Sequence, residues 1–568
     1  MSKNISWIIF ITVSVLFGVL FLAPLWMVVK GGFAEEGHFT LKYLIGVFQN
    51  PVYTEGLFNS LLLAIGTTLL VTGIAVPLAW LSNKYDFPGK KLVSGLILVP
   101  MILPPFVGAI GFQQILGIYG GLNILLGLGP VDWLGQLQYW GVISLQALSL
   151  YPIMYLNVSA ALANVDPAME EAAENLGCGG FKKFRKITLP LIMPGLFAGG
   201  TIVFIWSFTE LGTPLIMNYT KCASVQVFDA LKEIGTNPFP YALVFVMLAM
   251  SVTIYIIGKL VFGGKAYAMQ SKAATVAAAK TARGVTGLLV LLPFALVIFM
   301  ALTPHLGVIA TSFATPGSWY QSLLPMDYTS HNYIEALGHS MTVSSIRNSL
   351  FYSVLAVMFN TVLGIAIAYV VVRSTIPLRG ALDSLAMLPL AVPGLVMAFG
   401  YLAISSHLSN QDWVKEQPVW QNLLDVRTNP TLFLVIAYAI RRLPYMVRSA
   451  VAGLQQTSVT LEEAAANLGA SLWTRLRRIT IPLIMANLIA GGLLAFSFSM
   501  LEVSDSLMLA QREDFYPITK TIYELFQLIG TGKYIASALG VWAMMFLTVT
   551  IIGSSLILGR KLGAIFRV

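Results

Sequence analysis

Five charged residues stand within or beside apolar stretches of the chain, where they could meet an ionic cargo. Glu210 and Glu502 lie 292 positions apart, Asp505 follows one helical turn after Glu502, and Arg441 and Arg442 are adjacent. A charged side chain inside a membrane is costly, so it usually faces a cavity or a partner. The carboxylates could line the outer part of a pathway, cap a helix end or bind a neighbouring helix. The arginines could meet an anionic cargo, pair with the carboxylates or snorkel to the interface.

The sequence contains no motif for catalysis. The closest approximations to a phosphate-binding loop, at residues 532–534 and 89–91, lack the hydroxyl residue that would follow the lysine and bind magnesium. The metal-binding His-Glu-x-x-His and the nucleophilic Gly-x-Ser-x-Gly patterns are absent. Cys178 and Cys222 have no partner at metal-ligand spacing. We therefore expect no catalytic residue, no metal site and no cofactor in this chain, and an energy source on a partner.

The composition is that of a polytopic membrane protein. Of the 568 residues, 57% are hydrophobic and only 10% are charged, and the mean hydropathy is +0.79. A soluble domain has about 45–50% apolar and about 25% charged residues. About 20 apolar residues cross the hydrocarbon core as a helix. On this basis we predict twelve spans, at approximately 6–29, 57–82, 92–118, 139–164, 189–211, 240–263, 285–313, 346–373, 381–406, 431–455, 481–510 and 534–558.

The basic residues fall mostly on one side of these spans. If the N-terminus is cytoplasmic, about two thirds of the 34 Lys and Arg residues lie on or next to the inner side. This asymmetry follows the positive-inside rule and predicts that both termini are cytoplasmic. The net charge of +9 therefore reflects topology, and nucleic acid is not expected as a partner.

The chain repeats itself with an offset of 292 residues. Residues 170–177, EEAAENLG, return as residues 462–469, EEAAANLG, and ITLPLIM at 187–193 returns as ITIPLIM at 479–485. Because each copy has six spans, both copies face the same way across the membrane. We expect an all-α polytopic membrane protein with about 12 transmembrane helices in two tandem pseudo-symmetric six-helix halves. The predicted halves are 1–263 and 285–568, joined by a cytoplasmic linker at 264–284.

The repeated segment lies between the fourth and fifth spans of each half, on the cytoplasmic side. Asp166, which precedes a proline, is typical of a helix start. In the second copy the start could be Ser458, or Thr460 paired with Glu463 as a capping box. A glycine suited to a positive φ closes each copy. We predict a short helix that projects from the inner face. Such a helix could simply lie in the interface, but two near-identical copies favour a specific protein contact.

The repeated segment resembles the EAA loop of type I ABC importer permeases. The resemblance consists of Glu-Ala-Ala, a glycine four residues after the second alanine, and an Ile-x-Leu/Ile-Pro step. Both copies match, and the six-span halves extend the resemblance over essentially the whole chain. In that family the segment is the coupling helix, which docks into a groove on a cytoplasmic ATPase. The resemblance implies that Glu170, Glu171, Ala172 and Gly177 face one ATPase subunit and that Glu462, Glu463, Ala464 and Gly469 face the other.

The resemblance implies an importer in the bacterial inner membrane. Its expected partners are membrane lipid, an extracytoplasmic binding protein and a homodimer of ATPase subunits, which would hold the ATP and magnesium. A secondary transporter driven by an ion gradient through Glu210 and Glu502 is the alternative from another class. It offers no reason for the repeated cytoplasmic helix. A membrane enzyme finds no active-site residues in this sequence.

The cargo is less closely defined than the class. The fused design and residues 208–214, FTELGTP, are similar to ferric-iron permeases, and also to 2-aminoethylphosphonate and polyamine permeases. Iron or a polyamine would suit the three carboxylates, whereas a phosphonate or organophosphate would suit Arg441 and Arg442. Ferric iron is the cargo we expect.

Prolines punctuate the third span of each half, at matching depth. A proline removes a helical hydrogen bond and bends the backbone. Breaks at these positions could line a moving pathway or could be fixed packing kinks. The residues are Pro100, Pro104 and Pro105 in the first half, and Pro389 and Pro393 in the second.

Overall fold

The structure is a computed structural model that describes residues 3–35, 38–101, 104–262 and 279–558. This part of the chain is almost entirely helical, which confirms the predicted all-α class. Its strands are two-residue segments that form two small pairs. Ala34–Glu35 pairs antiparallel with His38–Phe39, and Tyr85–Asp86 pairs parallel with Lys280–Thr281.

Twelve long elements follow the predicted spans. They are α1 (Asn4–Phe33), α2 (Pro51–Lys84), α3 (Lys90–Met101 and Pro105–Leu125), α4 (Tyr139–Ala163), α5 (Gly180–Phe208), α6 (Phe239–Phe262), α7 (Gly284–Phe313), α8 (Ser340–Arg373), α9 (Arg379–Leu390 and Gly394–Ser409), α10 (Thr431–Gln456), α11 (Leu472–Met500) and α12 (Gly532–Leu558). Short helices connect them, at Lys42–Gln49, Gln136–Gln138, Pro167–Asn175, Gly212–Ile216, Ala223–Asp229, Ala230–Glu233, His331–Gly338, Asp412–Lys415, Pro418–Leu424, Val459–Asn467, Ser504–Leu509, Glu513–Phe515 and Ile518–Phe526.

Eleven of the predicted spans have the length and apolarity that a membrane crossing requires. Among the described residues, nine helices qualify outright, and eleven qualify if each bent pair counts as one span. The remaining element is α10, which is a continuous helix of 26 residues at the predicted position. Arg441, Arg442 and Arg448 make it less apolar than the others. Its charged side chains therefore need partners inside the protein.

The proline-rich third elements are broken in both halves. The two parts of α3 meet at 98° and the two parts of α9 at 95°. In α9 the break lies between Leu390 and Gly394, next to Pro393, which begins the second part as its N-cap. The predicted breaks at matching depth are confirmed.

The fifth elements begin earlier and end earlier than predicted. The basic residues after each repeated segment continue the helix through a π-helical turn, at Phe184–Thr188 in α5 and Leu476–Thr480 in α11. The helices then end at Phe208 and Met500, before the predicted ends at 211 and 510. Glu210 and Glu502 therefore lie in the breaks that follow these helices.

The two halves exchange their first helices. Helix α1 packs against α6 of its own half and α9 of the other, and α7 packs against α12 of its own half and α3 of the other. The Tyr401 hydroxyl of α9 donates a hydrogen bond to the Leu20 carbonyl of α1 at 2.8 Å. One continuous buried core therefore runs through both halves.

The structure describes only the last part of the predicted linker. Its residues 264–278 lie outside the described residues. The visible end, Lys280–Thr281, is joined to Tyr85–Asp86 directly after α2, and the Ala282 amide donates to the Asp86 carbonyl at 2.8 Å. Backbone hydrogen bonds therefore join the start of the second half to the end of α2 in the first half.

Candidate functional site

Two short helices, which we call the coupling helices, stand at equivalent positions in the two halves. They span Pro167–Asn175 and Val459–Asn467. The Asp166 side chain accepts a hydrogen bond from the Ala168 amide at 2.9 Å, and the Ser458 hydroxyl accepts one from the Thr460 amide at 3.2 Å. Ser458 is thus the cap of the second helix, in preference to the capping box of Thr460 and Glu463.

Each coupling helix ends at a glycine, as predicted. Gly177 has φ +74° and Gly469 has φ +82°, and this left-handed conformation favours glycine. The Cys178 amide donates to the Ala173 carbonyl and the Ala470 amide to the Ala465 carbonyl, so the two endings have the same hydrogen-bond pattern. The two helices have matching lengths and endings.

The first glutamate of each coupling helix points into the protein. The Glu170 carboxylate accepts hydrogen bonds from Lys183 Nζ at 3.1 Å and from the Thr188 hydroxyl at 2.8 Å. The Glu462 carboxylate accepts from the Tyr369 hydroxyl at 2.8 Å and from Arg373 Nε at 3.1 Å. These carboxylates hold the helices on the membrane domain. The expectation that they face a partner is corrected for Glu462, which is only 6% exposed.

Lys183 has a second carboxylate partner on the first coupling helix. Its ammonium lies 2.7 Å from Glu174, and this hydrogen bond holds the pKa of the Glu174 carboxyl below its ordinary value. The equivalent position in the second copy is Ala466, which cannot form such a bond. The two coupling helices are therefore anchored by different contacts.

The remaining residues of the repeated segment form an exposed surface. Glu171, Ala172 and Gly177 are exposed in the first copy, and Glu463, Ala464 and Gly469 are exposed in the second. Sequence reasoning missed two further residues, Leu176 and Leu468, which are 87% and 88% exposed. The signal was present, because the same apolar residue stands at the same place in both copies of a polar helix.

A cavity of about 190 Å³ lies where the two halves meet. It is bordered by the break of α3, by the middle of α4 and α10, and by the ends of α5 and α11. Four of the five predicted pathway residues line it, and these are Glu210, Glu502, Arg441 and Arg442. The fifth, Asp505, is fully buried behind the cavity wall.

The two arginines form ion pairs with the carboxylates of the second half. Arg441 Nη1 lies 2.5 Å from Glu502 Oε1 and 3.1 Å from Asp505 Oδ2. Arg442 Nη2 pairs with Glu502 Oε2 and also donates to the Phe498 carbonyl at 3.2 Å. The structure therefore shows Arg441 and Arg442 paired with carboxylates, which is one of the three alternatives considered for them.

Glu210 has a different environment. Its carboxylate accepts a hydrogen bond from the Thr213 amide at 2.9 Å and so caps the short helix Gly212–Ile216. Within the described ranges it forms no ion pair. Ser149 takes the place of Arg441 in the first half, and its hydroxyl donates to the Leu145 carbonyl at 2.9 Å. The cavity is thus lined by the Glu210 carboxylate, which has no ion-pair partner among the described residues, on one side and by the ion-paired Glu502 on the other.

The cavity does not hold a preformed metal centre. Across the residues that the structure describes, no three His, Cys, Asp or Glu side chains are grouped so that they could hold a metal ion.

A family model and several known proteins match this chain. The model for the binding-protein-dependent transport system inner membrane component matches residues 72–264 and 360–562, and each match contains one coupling helix. The chain is 27% identical over 486 residues to a putative ferric transport system permease protein, FbpB 1, of Haemophilus influenzae, which covers 83% of this chain and 71% of that protein. It is 25% identical over 483 residues to the ferric transport system permease protein FbpB of Actinobacillus pleuropneumoniae, which covers 81% of this chain and 64% of that protein.

A shorter similarity extends to the molybdenum transport system permease protein ModB of Escherichia coli, at 30% identity over 171 residues. It covers 29% of this chain and 73% of that protein. Permeases of the matched family are multi-pass inner-membrane subunits of ABC importers. They work with an ATPase and a binding protein and are not themselves enzymes. The two matches together span well over half of the chain, one in each half. The chain therefore belongs to the family of binding-protein-dependent transport system inner membrane components, with two copies of the family's unit fused in one polypeptide.

Proposed function

We propose that this chain imports ferric iron. An extracytoplasmic binding protein delivers the iron, and ATP hydrolysis on a separate ATPase drives the import. The observation that carries the proposal is the pair of matched coupling helices, each with an exposed glutamate and an exposed leucine. Burial of an exposed leucine against a partner protein lowers the free energy and so stabilises the complex. No lipid-facing role requires the same charged and apolar residues in both copies.

The cargo proposal is supported by the relatives and by the charges around the cavity. Two relatives that match about four fifths of the chain are named as ferric transport permeases. Two carboxylates and two arginines line the cavity, Asp505 lies directly behind its wall, and both arginines are already paired with Glu502 or Asp505. An anionic cargo such as a phosphonate would find no free guanidinium there. A cation would find the Glu210 carboxylate.

The ATPase partner is proposed to be a homodimer, with one subunit on each coupling helix. ATP and magnesium would be bound on that partner. Both termini are proposed to lie in the cytoplasm, and the asymmetry of the basic residues supports this orientation. The first ATPase subunit would contact Glu171, Ala172 and Gly177, and the second would contact Glu463, Ala464 and Gly469.

The pathway is proposed to run between the halves through the central cavity. Glu210, Glu502 and Asp505 would offer oxygen ligands in turn, and Arg441 and Arg442 would balance the charge of the last two. The breaks of α3 and α9 lie beside this cavity, since Pro100, Pro104, Pro105 and Gly394 line it. Broken helices allow one part of a bundle to rock against another.

The proposal is tested by reconstitution. The chain is placed in liposomes with or without its ATPase, and uptake of radioactive iron is measured with the iron-loaded binding protein outside. We expect uptake only when the ATPase and internal ATP are both present. The double charge reversal Glu171→Lys and Glu463→Lys should abolish uptake, whereas Lys91→Glu, at an exposed residue of α3, should retain it.

Other outcomes would overturn separate parts of the proposal. Uptake by the chain alone that an ionophore abolishes would identify a gradient-driven transporter. ATP-dependent uptake of 2-aminoethylphosphonate or a polyamine in place of iron would retain the permease and overturn the cargo.

A further inference from the structure

We propose that Arg441 is a tethered counter-ion that occupies the cation-binding position of the second half. A cargo cation would bind first at Glu210, where no arginine competes. It would reach Glu502 only by displacing the Arg441 guanidinium. This inference rests on the proposed cation cargo, but its test needs neither iron nor the ATPase.

The two halves differ at the residues concerned. Arg441 stands where the first half has Ser149, and Asp505 stands where the first half has Thr213, each at the offset of 292 residues. Arg442, which pairs with the other oxygen of Glu502, stands where the first half has Leu150. The glutamate that both halves share is therefore accompanied in the second half by one extra acid and two extra bases. Arg442 balances the charge of Glu502, and Arg441 bridges Glu502 and the added acid Asp505, so the second half carries its own counter-charges at this site.

The Arg441 guanidinium lies where a bound cation would lie. It stands between Glu502 and Asp505, at 2.5 Å and 3.1 Å, and its side chain is 17% exposed, at the border of the cavity. The second oxygen of Asp505, Oδ1, is buried without a hydrogen-bond partner. The site thus retains an unused acceptor beside the guanidinium.

The guanidinium also rests on the break of α9. A Cβ atom at Gly394 would lie 2.3 Å from Arg441 Cζ, so a larger residue there would displace the guanidinium from its present position. Gly394 is the first residue of the second part of α9. A change in the angle of this break would therefore move the wall against which Arg441 rests.

An arginine suits this role because it remains protonated under all physiological conditions. It cannot leave the carboxylates by losing its proton, and only another cation can replace it. Without Arg441 or a cation in its place, Glu502 would keep Arg442 but Asp505 would be a buried carboxylate with no counter-ion, which is strongly unfavourable. When the Arg441 guanidinium returns to the carboxylates, it would expel the cargo. A transport pathway requires such release, because an ion must be able to leave each site that it binds.

The test uses terbium, a trivalent cation with a preference for oxygen ligands, as the probe. Trp206 lines the same cavity and can sensitise terbium luminescence. The full chain is purified in detergent and titrated with Tb³⁺. We expect weak binding to the wild type and binding at least about tenfold tighter to Arg441→Met. Adding Glu502→Gln to that variant should remove the gain.

Matched variants keep the test decisive. Arg448→Met, on the same helix but paired with Asp383 at 3.5 Å and more than half exposed, should bind Tb³⁺ like the wild type. Ser149→Arg introduces the missing arginine beside Glu210 and should weaken wild-type binding about tenfold. Trp206→Phe should abolish the luminescence and so locate the signal.

The inference is overturned if folded Arg441→Met binds Tb³⁺ no more tightly than the wild type, or if the gain survives Glu502→Gln. If Arg441→Met fails to fold, unchanged binding by Ser149→Arg overturns it instead. Iron uptake in liposomes without the terbium effect would contradict this inference alone. The terbium effect without iron uptake would contradict the proposed cargo alone.

Discussion

Arg373 donates from Nε to the Glu462 carboxylate at 3.1 Å, and both side chains are less than a tenth exposed. Arg373 is the last residue of α8, whereas Glu462 lies in the second coupling helix. Arg373 Nη2 also donates to the Thr457 carbonyl at 3.0 Å, directly after α10. In the first half, Glu170 is held instead by Lys183, at the start of α5. The two coupling helices are therefore attached to different membrane helices.

Removing the Glu462 carboxylate should be more harmful than removing the Glu170 carboxylate. Glu462→Ala leaves a buried guanidinium unpaired, which costs about 3–5 kcal/mol. Glu170→Ala should cost less, because Lys183 keeps its second carboxylate partner, Glu174, at 2.7 Å, and because the Glu170 side chain is already 30% exposed. Thermal unfolding of the two variants in detergent measures the difference. Equal melting temperatures would show that the two attachments are equivalent.

The exposed leucines of the coupling helices should contribute to docking of the ATPase. Burying a leucine stabilises a complex by about 1.5–3 kcal/mol. The double variant Leu176→Asp and Leu468→Asp should therefore lose the ATPase when the complex is purified through a tag on this chain. Leu176→Met and Leu468→Met keep the apolar volume and should retain it. Full retention of the ATPase by the aspartate variant would exclude these leucines from the contact.

The contact between α3 and α7 depends on two glycines. A Cβ at Gly111 would lie 2.2 Å from the Pro304 carbonyl oxygen, and a Cβ at Gly307 would lie 2.6 Å from the Gly111 carbonyl oxygen. Small residues allow membrane helices to approach this closely. Gly307→Ala should lower the melting temperature, at a cost of about 1–3 kcal/mol for overpacking. Gly73→Ala in α2, where a Cβ would meet no atom within 4 Å, is the matched control and should have little effect.

Local chemistry made part of this structure predictable. The cap at Asp166 and the positive φ at Gly177 and Gly469 depend on neighbouring residues only and were predicted from the sequence, which also offered Ser458 as one of two possible caps of the second coupling helix. The breaks of α3 and α9 follow from proline, which cannot continue the hydrogen-bond ladder. The repeat also identified the paired glutamates at the cavity, because an offset of 292 residues relates them directly.

Contacts between distant residues were not predictable in the same way. The sequence left several partners open for Arg441, because the choice depends on how α10 and α11 pack. The inward orientation of Glu462 depends on Tyr369 and Arg373, about 90 residues earlier in the chain. Periodicity locates the charged residues along each helix but does not say which neighbouring helix each one meets.

The exchange of first helices also determines when this protein can be completed. Leu20 and Tyr401, which share a hydrogen bond, are 381 residues apart. At about 5–20 residues per second, a ribosome needs roughly 20–80 s to make the intervening chain. During that time α1 is already in the bilayer, but α9 has not yet been made. Lipid or an insertion factor must therefore cover the face of α1 that later packs against α9. The protein therefore cannot mature half by half, and translation has to reach the ninth helix before the first one is in place.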